Sequence, residues 1–222
     1  MKRLVLTCLL CIAFTQLNAQ DWGNLNRYRE ANDSLMKHNK TKDKVVFMGN
    51  SITQGWYDMM PEFFHENNFV GRGIGGQTTP QMLVRFRPDV IDLKPKAVVI
   101  LAGTNDIAGN TGPMTLEETF GYIVSMAELA DQNNIKVVIS SVLPAYDYPW
   151  KPGLTPAPKI VKLNNMLKDY CKKQGFVYLD YFSAMVDDRN GLKDELTYDG
   201  VHPNKAGYEV MAPLALVTIK KL

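Results

Sequence analysis

The chain has 222 residues, 45% hydrophobic and 22% charged, enough for one domain with a full apolar core and short for two. Its 25 Lys and Arg stand against 23 Asp and Glu, a balance that argues against a nucleic-acid partner, whose binding leans on many uncompensated basic residues. The composition is that of a globular chain, neither disordered nor fibrous.

Residues 1–19 read as a secretory signal. Lys2 and Arg3 precede an apolar run over residues 4–14, and a polar stretch then ends on Ala19. The other reading, a membrane anchor, needs roughly 20 apolar residues, about twice this run. No other stretch is long enough to span a bilayer. Export to the periplasm or the medium is expected, with residues 20–222 forming a single domain. Cleavage removes Lys2, Arg3, Cys8 and Cys11, leaving 23 charges of each sign and one cysteine, Cys171. A lone thiol forms no internal disulfide, so packing must stabilise the domain. Cys171 sits at helical spacing from Leu163 and Leu167 and reads as a small core residue.

Residues 22–39 read as a polar-faced entry helix. Short apolar runs follow at 45–48, 69–70, 97–102, 136–142 and 176–179. Most lack polar alternation, as expected of strands buried on both faces of a parallel sheet. Between them, apolar residues recur at intervals of three and four: Leu116, Phe120, Ile123, Ala127 and Ala130, then Ile160, Leu163, Leu167 and Tyr170, then Gly207, Val210, Met211 and Leu214. Thr115 before Glu117 and Glu118 opens the first of these helices, Gly175 closes the second, and Pro203 suits the first turn of the third. Strands alternating with helices predict an α/β domain with a doubly wound parallel sheet of about five strands. Residues 146–158, with four prolines, read as an irregular loop.

Ligands of open parallel sheets bind at the carboxyl ends of the strands. Four polar or glycine-rich segments fall there: Gly49-Asn50-Ser51-Ile52-Thr53, Gly73-Ile74-Gly75-Gly76-Gln77-Thr78-Thr79, Gly103-Thr104-Asn105-Asp106 and Asp199-Gly200-Val201-His202-Pro203. A serine hydroxyl needs a base to become a nucleophile. Of His38, His65 and His202, only His202 has a carboxylate at fixed short spacing on that rim, Asp199, which could fix its tautomer. His38 lies on the entry helix and His65 in a polar stretch, and both read as surface residues. The backbone N–H groups of Ser51 and Gly76 and the amide of Asn105 would supply three donors to an oxyanion. Each part also has a plainer reading, the serine as a helix cap and Asp-Gly before His-Pro as turn chemistry.

The four segments resemble, in order over roughly residues 45–211, the blocks of the SGNH (GDSL-type) hydrolases, and GRGIGGQTT resembles the platelet-activating-factor acetylhydrolase branch. The resemblance implies a flavodoxin-like three-layer α/β/α fold and ester hydrolysis. It implies Ser51 as nucleophile, Asp199 and His202 as its partners, and Gly76 and Asn105 as oxyanion donors. Two positions depart from the family's usual pattern, where aspartate stands in place of Asn50 and often in place of Gln77.

The expected activity is a cofactor-free, metal-independent serine esterase acting on a small-molecule or oligosaccharide ester. The lack of a long apolar segment for a lid or acyl tunnel favours a short acyl group such as acetyl. Trp56, Tyr57 and Trp150 are candidate walls for a sugar ring, with core packing the competing reading for the first two. A lysophospholipase or thioesterase of the same family, and a catalytically silent glycan-binding module, are the alternatives. A flavin or nucleotide binder lacks a GxGxxG opening a helix after the first strand. A metallohydrolase lacks clustered ligands.

Overall fold

Five short segments form one parallel sheet: β1 (Val45–Gly49), β2 (Phe69–Gly73), β3 (Ala97–Leu101), β4 (Lys136–Ser140) and β5 (Val177–Leu179), in the spatial order β2-β1-β3-β4-β5. The computed structural model describes residues 21–38 and 43–222; the segment 1–19 read as a signal, and Asn39, lie outside the described residues. Side chains alternate across the pleat. Val46, Met48, Val98, Ile100, Val137 and Ile139 enter one core, while Val45, Phe47, Val99, Leu101 and Val138 enter a second on the opposite face. Burial on both faces is why the strands read as unbroken apolar runs.

The helices are α1 (Arg29–His38), α2 (Ser51–Met59), α3 (Pro61–Glu66), α4 (Thr79–Asp89), α5 (Thr104–Ala108), α6 (Leu116–Gln132), α7 (Ala157–Gln174), α8 (Phe182–Met185) and α9 (Lys205–Ile219). The first core is closed by α4, α6 and α7 through Met82, Phe86, Ile123, Met126, Ile160, Leu163 and Leu167, with the buried Cys171 among them. The second is closed by α2, α3, α8 and α9 through Trp56, Phe64, Met185, Tyr208 and Met211. Two helical layers around one sheet give the expected three-layer α/β/α arrangement.

Local chemistry sets the boundaries. Thr115 and Glu118 form a reciprocal capping box that starts α6, and Gly175 caps α7. The entry helix begins at Arg29, seven residues later than its composition suggests. Upstream, the Asp21 carboxylate accepts the Leu25 and Asn26 amides, and the Trp22 and Gly23 carbonyls accept from the Gln81 and Gln77 side chains. Those backbone groups are thereby bonded outside any helix. Pro203 lies just outside α9, whose first turn is capped by Asn204 through the Gly207 amide at 3.0 Å. Pro158 stands inside the first turn of α7, where no N–H is required of it.

The strand order reverses between β1 and β3. A crevice opens at the carboxyl ends of strands at such a switch point, and Ser51 lies two residues past β1 and Asn105 four past β3.

Candidate active site

Ser51 is the first residue of α2. Asn50 caps that helix, its Oδ1 accepting the Ile52 amide at 3.1 Å. Asparagine caps as well as aspartate, so the first departure from the family pattern keeps the turn that presents the serine.

Ser51 Oγ lies 2.9 Å from His202 Nε2. On the far side of the ring, His202 Nδ1 lies 2.7 Å from Asp199 Oδ2. The Asp199 Oδ1 accepts the Val201 and His202 amides at 2.9 and 2.7 Å. Thr197 closes the turn beneath them, its hydroxyl donating to His202 O at 2.7 Å and accepting the Asp199 and Gly200 amides. Partial burial opposes ionisation of Asp199, but the His202 and Val201 amides and the imidazole outweigh it and hold the carboxyl below the usual aspartate range.

Gly76 sits in the loop after β2 with φ +77, and a Cβ added there would meet nothing within 4 Å. Backbone conformation, not space, is what asks for glycine. Its neighbour Gly75 donates to Gln54 Oε1 at 2.9 Å, which ties the loop to α2 one turn past Ser51. Asn105, in the first turn of α5, donates through Nδ2 to Gln77 O at 2.9 Å. An amide carries two such hydrogens, so this bond fixes the side chain without exhausting it. Gln77, the second departure, is buried between Arg85 and Gly23 O.

Asp106, beside Asn105, is buried as well. Burial raises its pKa, although the Thr79 hydroxyl and amide donate to Oδ1 at 2.6 and 2.8 Å. Its Oδ2 has no hydrogen-bond partner among the described residues.

The three aromatic candidates part company. Trp150 stands at the site, with its ring 5.9 Å from that of His202 and stacked on Tyr148 at 4.9 Å. Trp56 is 1% exposed and stacked between Phe63 and Tyr208, so it is a core residue and no wall. Tyr57 packs against Gly71 of β2 and shares a hydrogen bond with His65. It lies six residues along α2 from Ser51, about 9 Å down the helix axis, and does not line the site. His38 and His65 are exposed and apart from the serine.

Several participants lay outside the motifs. Tyr198 stacks on His202 with centroids 5.9 Å apart and planes 10° apart, yet is 67% exposed. Its place immediately before Asp199 was the available signal. Gln54 and Thr197 act through hydrogen bonds that no spacing announces. Beside Asp199 lies a cleft of about 260 Å³ lined by Tyr146, Tyr148, Arg189 and Asp194 among others. Among the described residues, no cluster of three or more His, Cys, Asp or Glu is arranged to hold a metal ion, and no helix is long and apolar enough to cross a membrane.

A hydroxyl, an imidazole and a carboxylate in one hydrogen-bonded line can generate an alkoxide nucleophile. Residues 47–210 match the model of the GDSL-like lipase/acylhydrolase family. A crystal structure of a Bacteroides fragilis chain described as an acylhydrolase is 50% identical, with a TM-score of 0.88, over 91% of this chain and 98% of that one. The human platelet-activating factor acetylhydrolase IB subunit alpha2 is 29% identical over 197 residues, 81% of each chain. An acetylxylan esterase of Xylanibacter ruminicola is 24% identical over 214 residues, 80% of this chain and 43% of the esterase. The chain belongs to the GDSL-like lipase/acylhydrolase family and is a carboxylic ester hydrolase.

Proposed function

We propose that this hydrolase is a serine esterase that removes short acyl groups, acetyl foremost, from carbohydrate esters. The observation that carries the reading is the continuous line from Ser51 Oγ through His202 to Asp199, at 2.9 and 2.7 Å. His202 takes the Ser51 proton as the hydroxyl attacks the ester carbonyl, and Asp199 stabilises the imidazolium that forms. The Ser51 and Gly76 amides and Asn105 Nδ2 receive the developing oxyanion, where one such donor is typically worth about 10²–10³ in rate. His202 then protonates the leaving alkoxide, and water releases the acyl group by the same route.

Two observations favour a short acyl group on a sugar. The relatives include an acetylhydrolase and an acetylxylan esterase, both named for an acetyl group. Trp150 and Tyr198 each present an exposed ring against that of His202, and aromatic faces suit the apolar faces of a pyranose. Residues 1–19 are, on this reading, a cleaved signal that delivers residues 20–222 as one domain to an extracytoplasmic polymer.

The test is hydrolysis of p-nitrophenyl acetate, butyrate and octanoate by residues 20–222, beside Ser51→Ala and with EDTA present. Acetate turnover that survives EDTA and is lost in the variant supports the mechanism. Turnover of octanoate alone redirects the substrate toward lipid. Deacetylation of acetylated xylo-oligosaccharides then tests the sugar.

A further inference from the structure

Between the oxyanion donors Gly76 and Asn105 stands a residue with no part in the chemistry above. Gln77 directly follows Gly76, and its carbonyl accepts from Asn105 Nδ2 at 2.9 Å. Its side-chain amide is buried, with Oε1 accepting from Arg85 Nε at 2.6 Å and Nε2 donating to Gly23 O at 3.0 Å. Arg85, on α4, is itself fully buried. Its Nη2 donates to Gly49 O at 2.9 Å and to Arg72 O at 3.0 Å, while Nη1 pairs with Asp89 at 2.8 Å.

Gly49 ends β1 two residues before Ser51, and Arg72 lies on β2 four residues before Gly76. One guanidinium therefore touches the strand that delivers the nucleophile, the strand that delivers the glycine loop, and the residue joining that loop to Asn105. A buried guanidinium is tolerated only with its donors satisfied. Its fork is planar and rigid, so satisfaction requires these three segments in one relative placement. Oxyanion donors work by being fixed before the charge develops.

We propose that Gln77, anchored by Arg85, is a positioning residue that holds Gly76 and Asn105 in register as oxyanion donors. The inference rests on the esterase reading above. It predicts that the Gln77 side chain, buried against Arg85 and Gly23 O, governs kcat and leaves substrate binding nearly untouched.

The experiment measures Ser51-dependent hydrolysis of p-nitrophenyl acetate, together with Tm, for the parent chain, Ser51→Ala, Gln77→Met, Gln77→Glu, Asn105→Ala and the Gln77→Met/Asn105→Ala pair. Gln77→Met removes both side-chain hydrogen bonds at nearly constant volume. Its kcat should fall about 10–100-fold, as for a misplacement near 1 Å, with KM within about threefold. Gln77→Glu keeps an acceptor for Arg85 but sets a carboxylate oxygen against Gly23 O, so it should recover only part of the loss. In the double variant the Gln77→Met loss should shrink several-fold, because one donor it positions is gone. A purely structural residue would lower Tm while its kinetic losses multiplied in full.

Parental kcat in folded Gln77→Met, or full multiplicativity in the double variant, overturns the proposal. Should Gln77→Met not fold, Gln77→Asn, shorter by one methylene and out of reach of Arg85, is read in the same way. Equal rates for the parent and Ser51→Ala would instead sink the esterase reading, a different result from a silent Gln77, and take the inference with it.

Discussion

Asp199 holds His202 at two points: Oδ2 meets the ring at Nδ1, and Oδ1 accepts the backbone amide of the same residue, each at 2.7 Å. One carboxylate thus fixes both the peptide that carries the imidazole and the rotation of the ring. The three-residue spacing permits this because Gly200, at φ +83, turns the chain back on itself.

Asp199→Asn separates the two functions. The amide oxygen still accepts the backbone N–H groups, so the turn should persist and Tm change little. Its NH2 cannot accept from Nδ1, which favours the wrong tautomer, and kcat should drop about 10³–10⁴-fold. The Asp199 carboxyl, held below the usual range, contributes stability above the ordinary aspartate pKa and loses it only as pH falls through its lower folded value. Loss of kcat/KM on mild acidification is therefore not protonation of Asp199. Steady-state kinetics and thermal melts of Asp199→Asn decide it, and a parental kcat in the folded variant would remove Asp199 from the catalytic line.

Asn105→Ala should lower kcat about 10²–10³-fold and shift KM far less, because its amide is asked to act on charge present only in the transition state. The variant also loses the bond to Gln77 O, at about 1 kcal/mol of stability. Steady-state kinetics on acetate esters decide it, and a raised KM at unchanged kcat would reassign Asn105 to ground-state binding.

The sheet was readable because strands buried on both faces leave unbroken apolar runs, and α6, α7 and α9 are long enough for helical periodicity to emerge. The short helices α3, α5 and α8 span six, five and four residues, under two turns, where no period can develop. That Ser51, His202 and Asp199 lie together was readable because each sits in a motif with its own spacing. The Arg85 cluster was not, since its partners Gly49, Arg72 and Gln77 come from β1, β2 and the loop after β2, and α4 turns a charged side chain inward. Trp56 and Tyr57 misled for a related reason. Closeness to Ser51 in sequence became distance in space once α2 carried them away from the rim, whereas the loop bearing Trp150 folds back to His202.

That contrast sorts the two tryptophans experimentally. Trp56→Ala should cost about 3–5 kcal/mol, as for other fully buried large aromatics, and show it as a large fall in Tm. Trp150→Ala leaves the core intact and should raise KM several-fold for acetylated xylo-oligosaccharides while sparing p-nitrophenyl acetate. Denaturant unfolding together with kinetics on both substrates separates them. Equal KM for the oligosaccharide in parent and Trp150→Ala would remove Trp150 from the substrate wall.

Asp106 gives the opposite electrostatic case to Asp199. Burial raises its pKa more than the Thr79 hydrogen bonds lower it, so the folded chain binds the proton more tightly than the unfolded one. Stability from this residue is greatest where both states are protonated and declines as pH rises from the ordinary aspartate pKa through the folded value. Asp106→Asn keeps Oδ1 as acceptor for Thr79 and carries no charge to desolvate. The variant's Tm should therefore gain on the parent as pH rises above about 4, and level off once the parent carboxyl is ionised. Paired thermal melts between pH 4 and 8 test this. A Tm difference independent of pH would mean that Asp106 carries no raised pKa, and that its unpartnered Oδ2 is satisfied in solution.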